Sequence, residues 1–309
     1  MRYRLTMSSL DLLLDGPRAQ RAFLLKAVFA GEWSITTEDE APLSVIAIAR
    51  GEAVFTGGEG PQEVGAGDVI VCRGPAKYVI ADSADRPTDI RILPGQVCID
   101  PSGALLDEEL ALGVRTWGNS RSPDSTVMLI GTYEHETSVG SLLLSRLPTS
   151  VVLRGFDTAV VDLLSTELAR DEAGQTALLD RLLDVLVVKA VREVLSASPA
   201  LPADDAVAAV LRAMEQHPEL PWTVAGLGEQ VGLSRAALAR RFTEQVGEPP
   251  LAYLTRWRLA LAADLLVGTD MTLSAIASRV GYASPFALSA AFKRLHGTSP
   301  ATFRSRHAA

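Results

Sequence analysis

The sequence predicts a two-domain α+β protein, in which a strand-rich barrel or sandwich completed by helices precedes an all-helical C-terminal domain. Three observations carry this. A length of 309 residues suits two domains of roughly 100–200 residues each. The texture changes near Pro148 from short Val- and Ile-rich segments to apolar residues at three- and four-residue intervals. Charge divides too: residues 222–309 carry ten Lys and Arg against five Asp and Glu, a net of +5. Residues 1–221 hold nineteen against thirty-two, a net of −13, within a chain of net charge −8.

Composition narrows the class before any element is placed. With 48% hydrophobic and 21% charged residues, collagen-like, disordered and disulfide-scaffold chains are excluded. No stretch approaches the ~18 apolar residues of a membrane span. The N-terminal Leu run is cut by Asp11, too early for the apolar core of an export signal. Two cysteines give no disulfide framework, and a reducing cytoplasm is the expected compartment.

The elements follow in order. From about residue 22 to 136, AFLLKAVFA, PLSVIAIARG, EAVFTGG, GDVIVCRG, KYVIAD, TDIRILPG and STVMLIGTYEHE read as strands punctuated by Gly, Pro and Asp. Beyond Pro148, FDTAVVDLLSTELARD and QTALLDRLLDVLVVKAVREVLSA read as helices. In the second, Leu178, Leu182, Val185, Val188 or Lys189 and Arg192 extend an unusually wide apolar stripe. Such a stripe suits packing on two sides, on its own domain and on a dimer partner. SASPALPADD, residues 196–205, has no periodicity and reads as a linker. The expected division is 1–197 (barrel about 20–150, helices about 156–197), linker 198–205 and helical domain 206–309.

The strongest signal is a repeat inside the basic third. Thr223, Leu227, Val231 and Gly232 match Thr272, Ile276, Val280 and Gly281 at one constant offset. After the extra residue Ala283, Ser234, Leu238, Phe242, Gly247, Pro250 and Tyr253 match Ser284, Leu288, Phe292, Gly297, Pro300 and Phe303. Thr223 and Thr272 suit the N-cap of a first helix, Gly232 and Gly281 a turn with positive φ, and Ser234 and Ser284 the N-cap of a second helix. Each copy is thus a helix-turn-helix, about 223–245 and 272–296, whose second helix is the one that enters a DNA major groove.

The buried positions of that second helix fix its outer face. With Leu238 and Phe242 inward, Arg235, Ala236, Ala239 and Arg240 project outward. With Leu288 and Phe292 inward, Pro285, Phe286, Ser289 and Ala290 do so. Arginine forks bind guanine O6 and N7, whereas alanine, phenylalanine and serine offer methyl contacts or weaker hydrogen bonds. The first copy reads as the better base reader. The second reads as a positioning element, with Lys293 and Arg294 near the backbone. Between them PPLAYLTRWRLALAADLLV predicts a helix over about 250–267, with Leu254, Trp257, Leu261 and Leu265 on one face. It would space two heads for adjacent groove segments about 34 Å apart.

The C-terminal hundred residues closely resemble the DNA-binding domain of AraC/XylS-type transcriptional regulators. The resemblance rests on WRLALAADLL and on IASRVGYASPFALSAAFKRLHGTSPATFR. It implies two helix-turn-helix units that bind double-stranded DNA and activate or repress transcription, usually in response to a small molecule, with RNA polymerase as a partner. The base-contact positions it implies are Arg235, Ala236, Ala239, Arg240, Phe286, Ser289 and Ala290; Ala290 departs from the arginine that many relatives carry there. With Ser284 and Lys293 added and Ala290 set aside, the candidate DNA-binding set is Arg235, Ala236, Ala239, Arg240, Ser284, Phe286, Ser289 and Lys293.

The strand-rich half resembles a cupin-type ligand-binding barrel, through GEAVFTGGEGPQEVGAGDVIVCRGPAKYVIAD and LIGTYEHETSVGSLLLSRLP. Catalytic cupins hold a metal with several His and a carboxylate. Only His135 of four His lies in this region, and Lys77-Tyr78 stands about where a ligating His belongs. No metal, cofactor or catalytic residue is therefore expected, and the Tyr133, Glu134, His135, Glu136 cluster reads as a strand end reaching solvent. Cys72 and Cys98 are either small buried hydrophobes or a redox-sensing pair. The expected protein is a homodimeric, cytoplasmic transcription factor that senses an unknown small-molecule effector or redox signal. A cupin-type enzyme and a DNA-independent interaction protein are the alternatives.

Overall fold

The computed structural model describes residues 22–133, 138–145, 147–168, 170, 172–197 and 204–307. The chain forms two compact units. Among the described residues, one comprises 22–133 and 147–197; the other gathers 138–145 and 204–307. Most of the expected linker and residues 134–136 of the Tyr133 cluster lie outside the described residues.

In the first unit two sheets face each other across one core. The seven-stranded sheet runs β10 (Ala111–Gly113), β11 (Thr116–Gly118), β1 (Ala22–Phe29), β12 (Thr126–Tyr133), β3 (Leu43–Arg50), β6 (Val69–Arg73), β13 (Ser150–Leu153). The six-stranded sheet runs β5 (Gly60–Gly65), β4 (Glu52–Gly57), β7 (Tyr78–Ala81), β2 (Ser34–Thr37), β8 (Ile90–Leu93), β9 (Val97–Ile99). Pairing is antiparallel except for β1 with β11 and β2 with β8. Of the expected barrel or sandwich, the walls are two facing sheets: among the described residues no pairing joins their edges into one closed sheet.

The two-residue alternation of strands explains the layering. On β3, Ile46 and Ile48 join Phe29, Trp33, Phe55, Ile70, Ile80 and Met128 in the core between the sheets. Its alternate residues Val45 and Ala47 are just as buried, which is why the segment LSVIAIA is apolar without interruption. Helices α2 (Ala159–Leu168) and α3 (Gln175–Ala197) cover that other face. The approach is close at Gly131 of β12, where a Cβ would stand 2.3 Å from Leu183 Cδ1. Two positions further along the same face, the Tyr133 hydroxyl donates to Asp184 of α3 at 3.2 Å.

The second unit is helical: α1 (Ser138–Leu144), α4 (Asp205–Gln216), α5 (Val224–Gln230), α6 (Arg235–Val246), α7 (Pro250–Gly268), α8 (Leu273–Arg279), α9 (Pro285–His296) and α10 (Pro300–His307). It has two cores. The first unites Val207, Leu211 and Met214 of α4 with Leu227, Leu238, Phe242, Tyr253, Leu254, Trp257 and Ala260, and Val139 of α1 belongs to it. The second unites Leu259, Ala262, Ala263 and Leu266 with Ile276, Val280, Leu288 and Phe292. Helix α7 is the shared wall, with Leu261 bordering both. Of the four residues expected on one face of it, Leu254 and Trp257 are buried in the first core, while Leu261 and Leu265 are half-buried.

Candidate nucleic-acid interface

Each helical pair is fixed by its caps. Thr223 Oγ1 accepts from Gly226 N–H at 3.0 Å and Thr272 Oγ1 from Ala275 N–H at 3.2 Å. Ser234 and Ser284 accept at 3.2 Å from the N–H groups of Ala237 and Ala287. These bonds satisfy donors that a helix start leaves free, and they set the angle at which α6 and α9 leave their turns. Gly232 and Gly281 hold the turns at φ 69° and 80°. The second turn is also crowded: a Cβ on Gly281 would lie 2.5 Å from the Pro218 carbonyl oxygen and 2.7 Å from an Arg258 nitrogen.

On both recognition helices the expected residues are buried. Leu238 and Phe242 of α6, and Leu288 and Phe292 of α9, are wholly enclosed. Arg235, Ala236 and Arg240 of the first helix are exposed and Ala239 is half-buried. On the second, Phe286, Ala290 and Lys293 are exposed, and Ser284 and Ser289 half-buried. Ser284, as the cap of α9, has its hydroxyl already engaged with backbone.

The basic residues of this unit do two different jobs. Arg258 donates to the carbonyls of Pro218 and Leu220 at 2.7 Å each. Arg304 donates to Leu266, Thr269 and Met271 carbonyls, closing the C-terminal end of α7. Arg241 pairs with Asp204, the N-cap of α4, and Arg256 with Glu248. Arg240 pairs with Glu244 one turn on at 3.0 Å, both well exposed, a pair worth a few tenths of a kcal/mol that an incoming base can displace. Arg235, Arg279, Lys293, Arg294 and Arg306 are exposed and outside any ion pair among the described residues.

The cupin family model matches residues 9–196 and the helix-turn-helix domain model residues 227–306. A relative from Streptomyces lividans, described as an AraC-like transcription regulator, is 30% identical over 294 residues, 90% of this chain and 91% of its own. The chain belongs to the AraC-like transcription regulators. Another relative, the helix-turn-helix transcriptional regulator AlkR of Acinetobacter baylyi, is 28% identical over 317 residues, covering 97% of this chain and all of its own. Among solved structures, the DNA-binding domain of AdpA in complex with a target DNA is 33% identical over 34% of this chain and 94% of that one, with a TM-score of 0.33.

An AraC-like regulator is a DNA-binding protein with a sensing domain, not an enzyme. The sensing half of this one has an interior feature that strand-by-strand reading missed. A small cavity of about 10 Å³ between the sheets, room for about one water molecule, is lined by isoleucines from both and by Thr37, Asp39, Tyr78, Gln96 and Thr132. Gln96 donates to Asp39 there at 3.0 Å. Thr37, Tyr78 and Thr132 on their strands were the available signal; Asp39 and Gln96 lie in connections between strands and gave none. The two thiols sit in or against the same core. Burial pushes Cys98 up to about 12, with Asp107 adding to it, and raises Cys72 further, with Asp39 adding. Both are therefore protonated thiols near neutral pH. Among the described residues no group of three or more His, Cys, Asp and Glu is placed to hold a metal ion, and no helix is long and apolar enough to cross a membrane.

Proposed function

We propose that this regulator sets α6 and α9 into successive major-groove segments of its operator, with Arg235, Ala236, Ala239, Arg240, Ser284, Phe286, Ser289 and Lys293 meeting DNA. The observation that carries this is the match between the two heads. Each buries the Leu and Phe of its second helix and leaves Arg235, Ala236 and Arg240, or Phe286, Ala290 and Lys293, exposed on the opposite face. Phosphate contacts from Lys293 would position the complex, and Arg235 and Arg240 would read guanine.

The signal is read as a small molecule that must part the two sheets to enter, since the space between them here holds about one water; Thr37, Asp39, Tyr78, Gln96 and Thr132 would offer it hydrogen bonds among isoleucines. A redox signal through Cys72 and Cys98 is the weaker reading, because a thiolate is the reactive form and burial disfavours it at both. Dimerisation is assigned to α3, whose outer side leaves Leu178 and Val185 exposed while Leu179, Leu183, Leu186, Val187 and Val191 face inward. The protein acts in the cytoplasm, where it meets DNA and RNA polymerase. An effector regulates it only by binding one arrangement more tightly than another.

Selection of bound sequences from random DNA by the full chain tests the reading. A defined motif with two half-segments about one turn apart supports it, and Arg240→Ala should lower discrimination at one base step by about 1–3 kcal/mol. Equal binding by that variant across all operator changes would remove Arg240 from the reading face.

A further inference from the structure

The most exposed large apolar side chain among the described residues is Phe286, with 85% of its surface open. Its place makes that exposure informative. Ser284 caps α9, Pro285 is the first helical residue, and Phe286 is the second. The opposite side of the same helix is committed to the second core through Leu288, Ala291 and Phe292. The ring therefore has no way inward. It heads a stripe at helical spacing, followed by Ser289 and Ala290 and then by Lys293, with the exposed Arg294 beside it.

We infer that Phe286 is a specificity-determining residue that recognises the 5-methyl group of a thymine in the major groove. The inference rests on the DNA-reading assignment of α9 made above and adds the base that this helix selects. Two arguments lead to it. The N-terminal turn of a recognition helix is the part that reaches base edges, and Lys293 and Arg294 supply the positive charge that suits phosphates at its far end. The stripe then limits what can be read. Ahead of Lys293, which is assigned to phosphate, it holds no arginine, lysine, asparagine, glutamine or carboxylate, so neither the two-point grip on guanine or adenine nor acceptance from cytosine is available there. Of the groups that base pairs show in the major groove, only the thymine methyl is apolar, and an aromatic ring flanked by Pro285, Ala287 and Ala290 is an apolar surface.

The two heads then divide the work. The arginines of α6 read guanine by hydrogen bonding, and Phe286 reads thymine by contact. Ala290, with no functional group beyond a methyl, leaves the ring room to lie against the base edge.

Uracil for thymine removes the methyl and leaves Watson–Crick pairing intact, which makes it the probe. DNA selected by the full-length protein is resynthesised with each thymine of the footprint replaced singly by uracil, and affinity is measured for the wild-type chain and for Phe286→Ala. At one thymine under the second head, the wild type should lose about four-fold, the worth of one buried methyl, and Phe286→Ala should lose nothing further on that substitution. Cytosine at that step should bind more tightly when 5-methylated, for the wild type alone. The variant folds as the wild type if its thermal transition is unchanged, as expected for so exposed a ring. The inference is overturned if binding is intact but no thymine is methyl-sensitive, or if both proteins lose equally at every position. It is overturned in favour of a protein contact if Phe286→Ala changes transcription from the operator with DNA affinity and base preference untouched. No sequence-selective binding by the full chain overturns the DNA-reading assignment itself along with it.

Discussion

Helix α1 gives a prediction that can be worked through from the coordinates. It lies in the chain between β12 and β13, yet it packs on α7 in the helical unit, and Val139 is only 1% exposed inside the core that holds Leu238, Phe242 and Trp257. Asp264 of α7 accepts from the backbone N–H groups of Ser138 and Val139 at 2.7 and 3.0 Å, satisfying two of the donors that a helix start leaves free. Val139→Ala removes two methyl groups from an enclosed site and leaves a small void, a loss of about 2 kcal/mol. Asp264→Ala leaves those N–H groups without their acceptor and should cost about as much. Asp264→Asn should cost nearly as much, because its single amide oxygen can serve one of the two N–H groups while its NH2 faces the other. Burial raises the Asp264 carboxyl above its ordinary value against the pull of its hydrogen bonds. The sign follows. For a carboxyl raised in the folded state, stability is greatest below its unfolded value and declines as pH rises through the folded one. The assay is amide hydrogen exchange of the intact chain. A local loss of about 2 kcal/mol speeds exchange in α6 and α7 about thirty-fold, while strands β3 and β12 keep their protection. If Val139→Ala leaves α6 and α7 within three-fold of wild type, α1 is no part of the first reading head's core and the reasoning fails.

Three further outcomes are expected. Gly281→Ala should cost about 3 kcal/mol or more by chemical denaturation, from positive φ plus the collision with the Pro218 carbonyl, whereas Gly232→Ala, with open space around it, should cost only about 1 kcal/mol; equal losses would refute the distinction. His296 stacks on Phe292 with ring centroids 4.2 Å apart, and burial lowers its pKa below the usual 6.5. The unfolded chain then takes up the proton first, so stability should fall as pH drops below about 6.5, and His296→Phe should abolish that slope in denaturation curves between about pH 5 and 7. DNA affinity measured across a salt series should follow a slope of about −4 per chain, from Arg279, Lys293, Arg294 and Arg306 at about 0.9 each; a slope of about −7 would mean that the four internal arginines leave their pairings for phosphates on binding.

The repeated heads were legible because every signal that defines them is local. Thr223, Ser234, Thr272 and Ser284 each cap the backbone within three residues, and Gly232 and Gly281 each answer a φ of their own. The long strands were legible through their Val and Ile content, whereas β5, of sequence GPQEVG, and the three-residue strands β9, β10 and β11 hold too few apolar positions to show a period. The single stripe expected on α7 did not appear because the helix is enclosed by two cores in succession. A 3.6-residue period shows one face only when one face is buried, and here Trp257 and Leu266 point into different cores. Val139 could not be found from pattern at all. Its partners are distant in sequence, and nothing in SVGSLLL distinguishes a helix of the sheet unit from one that docks on α7.

Charge is where sequence and structure combine most usefully. A net of −8 argues against a polyanionic partner, and the +5 of the last third argues for one, but neither number says which charges DNA can meet. The structure sorts them. Arg258 and Arg304 are spent on backbone carbonyls that close α7 and its neighbours, and Arg241 and Arg256 on carboxylates that tie α6 and α7 in place. These four hold the heads. What remains for DNA is Arg235 and the displaceable Arg240 on the first recognition helix, Lys293 and Arg294 on the second, and Arg279 and Arg306 nearby in sequence. A protein with so few free cations gains modest sequence-independent affinity. On the proposed reading, selectivity then comes from base edges: arginine on guanine at one head and an exposed ring on thymine at the other. A chain that is acidic overall loses little by that arrangement and sheds non-specific contacts in exchange.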